Sequence, residues 1–221
     1  MWRSLWQRVL WWRFRLFQRH RYNRLVLEEV AGRPFLVLPQ VFNPKLLWTG
    51  EFLAQTLDER LIPPGSTVLD MGTGSGVGAV FAASWAEHVV AVDINPEAVR
   101  CARINVLLNR VEERVQVCQG DLFEPVSGQR FDVVLFNPPF FSGTPQDLLD
   151  HAWRSDDVAG RFAAGLGDHL RSGGYGLVVL STVGGESAFL QAFRARGLVV
   201  HEVARRAVGD ETLTVYQICQ E

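Results

Sequence analysis

The chain has 221 residues, 48% of them apolar, which is enough for one α/β domain with a real core and excludes a disordered chain. The net charge of −2 argues neither for nor against a nucleic-acid partner. Its placement is uneven: seven arginines fall within the first 24 residues, the first acid is Glu28, and Lys45 is the one lysine.

The first predicted element is a helix over residues 2–20. At about 100° per residue, Leu5, Leu16, Val9, Trp2, Trp6 and Trp12 share one face, and Arg8, Arg15 and Arg19 gather on another. Arg13 and Trp11 break the pattern. Such a helix suits two places: an anionic surface, lipid or RNA phosphate, or the flank of the domain with its arginines in water. Arginines interrupt the apolar stretch, so it does not read as a signal peptide, and no apolar run is long enough to span a bilayer. The expected compartment is the cytoplasm, with peripheral membrane contact through residues 1–22 as the variant. Cys101, Cys118 and Cys219 lack CxxC or Cys/His spacing, which predicts packing roles, a reducing compartment and no metal.

From Pro34 the pattern changes. FLVL (35–38) predicts a short strand, residues 39–45 a loop, and residues 48–60 a helix ending before IPPG. Strands are then predicted at 67–70, 89–93, 114–118, 131–136 and 174–181. Helices alternate with them at 76–86, 96–109, 157–171 and 185–196. The tail reads as two strands around a Gly-Asp turn. This order predicts a Rossmann-like, doubly wound, mostly parallel seven-stranded sheet with an antiparallel C-terminal edge hairpin. Residues 1–40 are expected to be a Trp/Arg-rich helical extension and 41–221 the catalytic domain.

VLDMGTGSGVGAV (68–80) follows the first core strand and opens a helix. Gly72, Gly74 and Gly76 allow close backbone approach to a ligand at a helix N-terminus. Asp93 ends the next strand, where a carboxylate can bind ribose hydroxyls. GSGVGA (74–79) also fits the dinucleotide pattern. Two features separate S-adenosylmethionine from NAD: Asp70 gives the form DxGxGxG, and GDLFEP (120–125) places Asp121 where it can accept from an adenine amino group. A turn or cap role for Asp121 remains the alternative.

The ordered set VLDMGTGSG, AVDINPEAV, GDLFEP and FDVVLFNPPF resembles class I S-adenosylmethionine-dependent methyltransferases of the methyltransferase small group. Within that group it is most similar to HemK-like glutamine N5-methyltransferases and to relatives acting on exocyclic amino groups of bases. The resemblance covers roughly residues 40–200. It implies transfer to a planar amide or amino nitrogen, with protein glutamine first and an adenine or guanine amino group, or a small molecule, as alternatives. It further implies that Asn137 and the carbonyl of Pro138 accept the two N–H hydrogens of the substrate nitrogen, with Phe140 stacking on the flat group. Asp70, Gly72, Thr73, Gly74 and Gly76 would form the methionine side of the cofactor site, with Asn137 bordering it. Asp93 would bind ribose, Ile94 would pack on adenine, and Asp121 and Leu122 would read its edge. Thr49, Pro139, Phe141 and Trp153 are weaker substrate-side candidates, and Thr49 is as good a helix cap. The partners implied are a protein such as a release factor, or RNA, and no metal. Two departures stand out. Glutamine enzymes of this group usually carry NPPY, and the form NPPF found here is common among relatives that act on ribosomal RNA bases. Only about 40 residues precede the core, where bacterial release-factor enzymes carry a longer helical domain.

Overall fold

A computed structural model describes residues 24–45, 48–139 and 157–221, together with the backbone of 141–142 and 154–155. The predicted helix 2–20, Phe140 and Trp153 lie outside the described residues, and of Phe141 only the backbone is described. The chain opens with β1 (Val26–Val30) and β2 (Arg33–Val37), followed by α1 (Thr49–Thr56), β3 (Thr67–Met71) and α2 (Val77–Ala82). Next come β4 (His88–Asp93), α3 (Pro96–Leu108), β5 (Val115–Gln119) and β6 (Phe131–Phe136). The two-residue strands β7 (Phe141–Ser142) and β8 (Arg154–Ser155) pair in parallel. The chain closes with α4 (Val158–Leu166), β9 (Leu170–Ser181), α5 (Glu186–Ala195), β10 (Val199–Val208) and β11 (Glu211–Cys219).

Seven strands form one sheet in the order β10-β11-β9-β6-β3-β4-β5. The central strands pair in parallel, and β11 runs antiparallel between β9 and β10. This is the predicted architecture. It follows from β-strands that are apolar on both faces, as a sheet covered twice requires. Val133 and Leu135 of β6 join one core with Val68, Val80 and Val106. Val134 and Phe136, one residue out of phase, join the other with Phe162, Leu166 and Phe193 from α4 and α5.

The segment expected to be a helical extension is different where it is described. Residues 26–37 form an antiparallel hairpin, so the strand predicted at 35–38 has an unforeseen partner. Val30 and Phe35 are fully buried in the domain core. Phe35 stacks on Phe81 with centroids 6.2 Å apart, and the Arg33 guanidinium lies 5.0 Å from the same ring. On the free edge of β2, Asn105 of α3 acts as a third strand would: its Oδ1 accepts from Leu36 N and its Nδ2 donates to Leu36 O. The hairpin therefore packs as part of the domain, ahead of the boundary expected at residue 41.

Other differences have local causes. Helix α1 stops at Thr56 because the Asp58 carboxylate accepts from the N–H groups of Arg60 and Leu61, forming a turn instead. Helix α4 gives way to a 3-10 turn over Gly167–His169, and β9 starts at Leu170 where helix was predicted to continue. Gly160, Gly165 and Gly167 weaken helical preference there. Among the described residues no helix is long and apolar enough to cross a membrane.

Candidate active site

A cavity of about 410 Å³ opens at the carboxyl ends of β3, β4 and β6, where strand order reverses about β3. Its walls include Gly72, Thr73, Gly74, Asp93, Ile94, Asp121, Leu122, Asn137, Pro138 and Pro139, so the predicted motifs converge on one space.

The glycine loop is held from several sides. Thr73 N donates to Val92 O at 3.0 Å, and Gly74 N donates to Asp93 Oδ2 at 2.8 Å. Asn105 Nδ2 donates to Ser75 O at 2.8 Å. Gly72 and Gly74 sit at φ 61° and 57°, in the left-handed region that favours glycine. Gly76 does not line the cavity, contrary to expectation. A Cβ there would come within 3.1 Å of Ala102 Cα, so this glycine serves close packing of the loop on α3.

Asp70 is buried, with 4% of its surface exposed, and lines the cavity beside the loop. Its Oδ2 accepts from Thr73 Oγ1 at 2.5 Å and from Ala79 N at 2.8 Å, so it braces the loop and the start of α2. Burial lifts its carboxyl from the ordinary 3.8 to about 6, opposed by those two hydrogen bonds and assisted by the nearby charge of Asp93. The folded chain therefore binds this proton more readily than the unfolded chain. Its stabilising effect is fully present below about pH 4 and is lost as pH rises through about 6. Relative to Asp70→Asn, the parent chain should gain up to about 3 kcal/mol as pH falls from about 7 to about 4. Denaturant unfolding of both chains at the two pH values would show it. A pH-independent difference would contradict the assignment.

Gly78 was missed, although it faces the same carboxylate. A Cβ there would lie 2.4 Å from Asp70 Oδ1. Gly78→Ala should cost roughly 1–3 kcal/mol, read as a lower unfolding midpoint. An unchanged midpoint would mean that the contact relaxes freely.

Asp93 is 9% exposed, with Oδ2 accepting from Gly74 N and Oδ1 from Asn95 N at 2.9 Å. Asn95 caps α3 by accepting from Glu97 N, and its Nδ2 donates to Gln40 O. Ile94 is 42% exposed, high for an isoleucine, and lines the cavity. Asp121 has a partner that the sequence did not predict: its Oδ2 accepts from Arg161 Nη2 of α4 at 2.6 Å. Arg161 lies 40 residues away in sequence, and no motif announces it.

Asn137 follows β6 directly. Its Oδ1 is buried and has no hydrogen-bond partner among the described residues, while Pro138 is buried beside it. A buried acceptor without a donor is costly unless something else supplies one. Thr49 is the other buried orphan at this end of the fold. It neither lines the cavity nor caps α1: Trp48 is the cap residue, without a side-chain bond, and Thr49 is fully buried. Cys101 is buried, Cys118 and Cys219 half-buried, and all three are free.

A family model for the methyltransferase small domain matches residues 33–205. The chain belongs to the methyltransferase small domain family. It is an S-adenosylmethionine-dependent methyltransferase, as the sequence resemblance implied. A Methanocaldococcus jannaschii protein, provisionally named a protein N5-glutamine methyltransferase, is 30% identical over 196 residues, covering 85% of this chain and 95% of its own. The release factor glutamine methyltransferase of Geobacter sulfurreducens is 38% identical over 124 residues, 55% of this chain and 42% of its own. The T. thermophilus 16S rRNA N2 G1207 methyltransferase, solved with AdoMet and guanosine, superposes with a TM-score of 0.66 at 25% identity, covering 90% of this chain and 50% of that one. The chain thus spans half or less of these last two relatives.

Proposed function

We propose that this methyltransferase acts on the side-chain amide nitrogen of a protein glutamine. The observation that carries the reading is the buried, unpartnered Asn137 Oδ1 on the cavity wall. An amide nitrogen is a poor nucleophile because its lone pair is delocalised, so the enzyme must orient it. Asn137 Oδ1 and Pro138 O accept its two N–H hydrogens and favour the positive charge that develops on nitrogen. Pro138 and Pro139 fix φ, so both acceptors stand in place before substrate arrives. The sequence resemblance gives Phe140 the role of stacking on the amide plane.

S-adenosylmethionine, when bound, supplies an electrophilic methyl group on a sulfonium. The cavity's own features fit it. Among the described residues other than its chain neighbours, a Cβ on Gly74 would meet nothing nearer than Gly72 O at 4.0 Å, so the backbone there is open to a ligand. Gly72, Thr73 and Gly74 then hold the methionine part. Asp93 accepts from ribose hydroxyls, the exposed Ile94 packs on adenine, and Asp121 and Leu122 read its edge.

The Methanocaldococcus relative, which this chain matches over 95% of its length, supports glutamine as the target. A release factor is the partner this reading favours. A second reading has its own support: the same two acceptors suit an exocyclic base amine, and the rRNA enzyme that superposes was solved with guanosine. The body of the chain is acidic once the first 24 residues are set aside, which opposes a broad RNA footprint, although the arginines of residues 1–22 supply basic charge locally for RNA or an anionic membrane.

The test is transfer from methyl-labelled S-adenosylmethionine into cell extract, with RNase in one arm and protease in another. Label in a protease-sensitive band of release-factor size is the expected result. Label lost only with RNase would move the target to an RNA base.

A further inference from the structure

The cavity has two walls that come from distant parts of the chain. One is the turn after β5 with Asp121 and Leu122, and the other is α4, which follows the segment beyond Asn137. Arg161 of α4 donates from Nη2 to Asp121 Oδ2 at 2.6 Å, and both side chains line the cavity. We infer that this ion pair is a latch that presets Asp121 for the cofactor, so that Arg161 is a positioning residue for S-adenosylmethionine binding. The inference rests on the reading of the cavity given under Proposed function.

A carboxylate has two acceptor oxygens. Arg161 Nη2 occupies Oδ2 with a single charge-assisted bond, which restrains the Asp121 carboxylate and leaves Oδ1 as the oxygen to accept from the adenine amino group. Leu122 has φ 47°, left-handed backbone that a leucine rarely adopts, and this bend aims both Asp121 and Leu122 at the cavity.

The fold does not need the pair to keep the turn on α4. Phe123 stacks between Phe162, 5.6 Å away, and His169, 4.4 Å away. A Cβ on Gly165 would lie 2.5 Å from the Phe123 ring, so α4 fits this ring closely. Apolar contacts therefore fasten the turn from below, while the pair sits above at the cavity. The Arg161 and Asp121 side chains are 49% and 32% exposed, and a pair so exposed adds little to stability. Its effect falls on where the carboxylate points.

The test measures S-adenosylmethionine binding by calorimetry on the full chain, for the parent, Arg161→Gln, Arg161→Lys, Asp121→Asn and the double variant Arg161→Gln/Asp121→Asn. Arg161→Gln is expected to weaken binding about five- to tenfold, with Lys restoring most of it. The double variant should bind about as weakly as Asp121→Asn alone, because one interaction is removed in both. The unfolding midpoint of Arg161→Gln should stay within about 2 °C of the parent. Unchanged affinity in Arg161→Gln, additive losses in the double variant, or a loss of affinity matched by a large fall in midpoint would each overturn the latch. A parent chain that fails to bind S-adenosylmethionine would instead overturn the reading of the cavity beneath it.

Discussion

Asn137→Ala is expected to slow methyl transfer by roughly 10²–10³-fold, the scale seen when one preorganised group facing a transition state is removed. Cofactor affinity should stay within about threefold, less than one ordinary hydrogen bond is worth. The separation follows from the bonding of the side chain. Asn137 Oδ1 has no partner among the described residues, so none of their donors is orphaned when it is removed. What is lost is one of the two acceptors proposed to orient the substrate nitrogen. Asn137→Asp keeps an acceptor oxygen in place and should retain more activity than alanine. Single-turnover transfer and calorimetric binding on the same preparations would separate the two effects. Near-parental turnover in Asn137→Ala would remove the orienting role.

Asp93→Ala is expected to act on binding, with a loss of cofactor affinity of roughly 10–100-fold, as for a charge-assisted hydrogen bond or two. This change also harms the fold. Gly74 N and Asn95 N both donate to this carboxylate, and removing it leaves two backbone donors unpaired. That costs roughly 1–3 kcal/mol per donor, so the unfolding midpoint should fall as well. Cofactor near saturation should restore much of the turnover, because Asn137 and Pro138 are untouched. Unaltered affinity in Asp93→Ala would mean that the ribose lies elsewhere.

The core of the molecule is readable from sequence because its signals are local. FDVVLF and HVVAVD are nearly continuous apolar runs, and the glycines, Asp93 and Asn137 stand at strand ends where an α/β sheet places ligands. The hairpin was half missed because VLEEV carries two glutamates. One of them, Glu28, is accommodated by Asn43, whose Nδ2 donates to it from 15 residues away. The glycine pattern treats Gly72, Gly74 and Gly76 alike, whereas contacts from α3 separate Gly76 from the other two. Gly78 falls outside the pattern, yet the Asp70 carboxylate leaves no room there for a side chain. Arg161 meets Asp121 only through the packing of α4, and Thr49 is buried by surroundings that its own sequence does not show. For Glu28, Gly76 and Arg161 the deciding partner is remote in sequence.

The measurement that bears most directly on the account identifies the methylated atom. The 221-residue chain would be incubated with methyl-deuterated S-adenosylmethionine and whole-cell extract, the protein and nucleic-acid fractions separated, and each digested enzymatically to amino acids or nucleosides for mass spectrometry. The account predicts deuterated N5-methylglutamine with the parent chain and a near-complete loss of it with Asn137→Ala. Label confined to a methylated base in the nucleic-acid fraction, or N5-methylglutamine made equally well by Asn137→Ala, would contradict it.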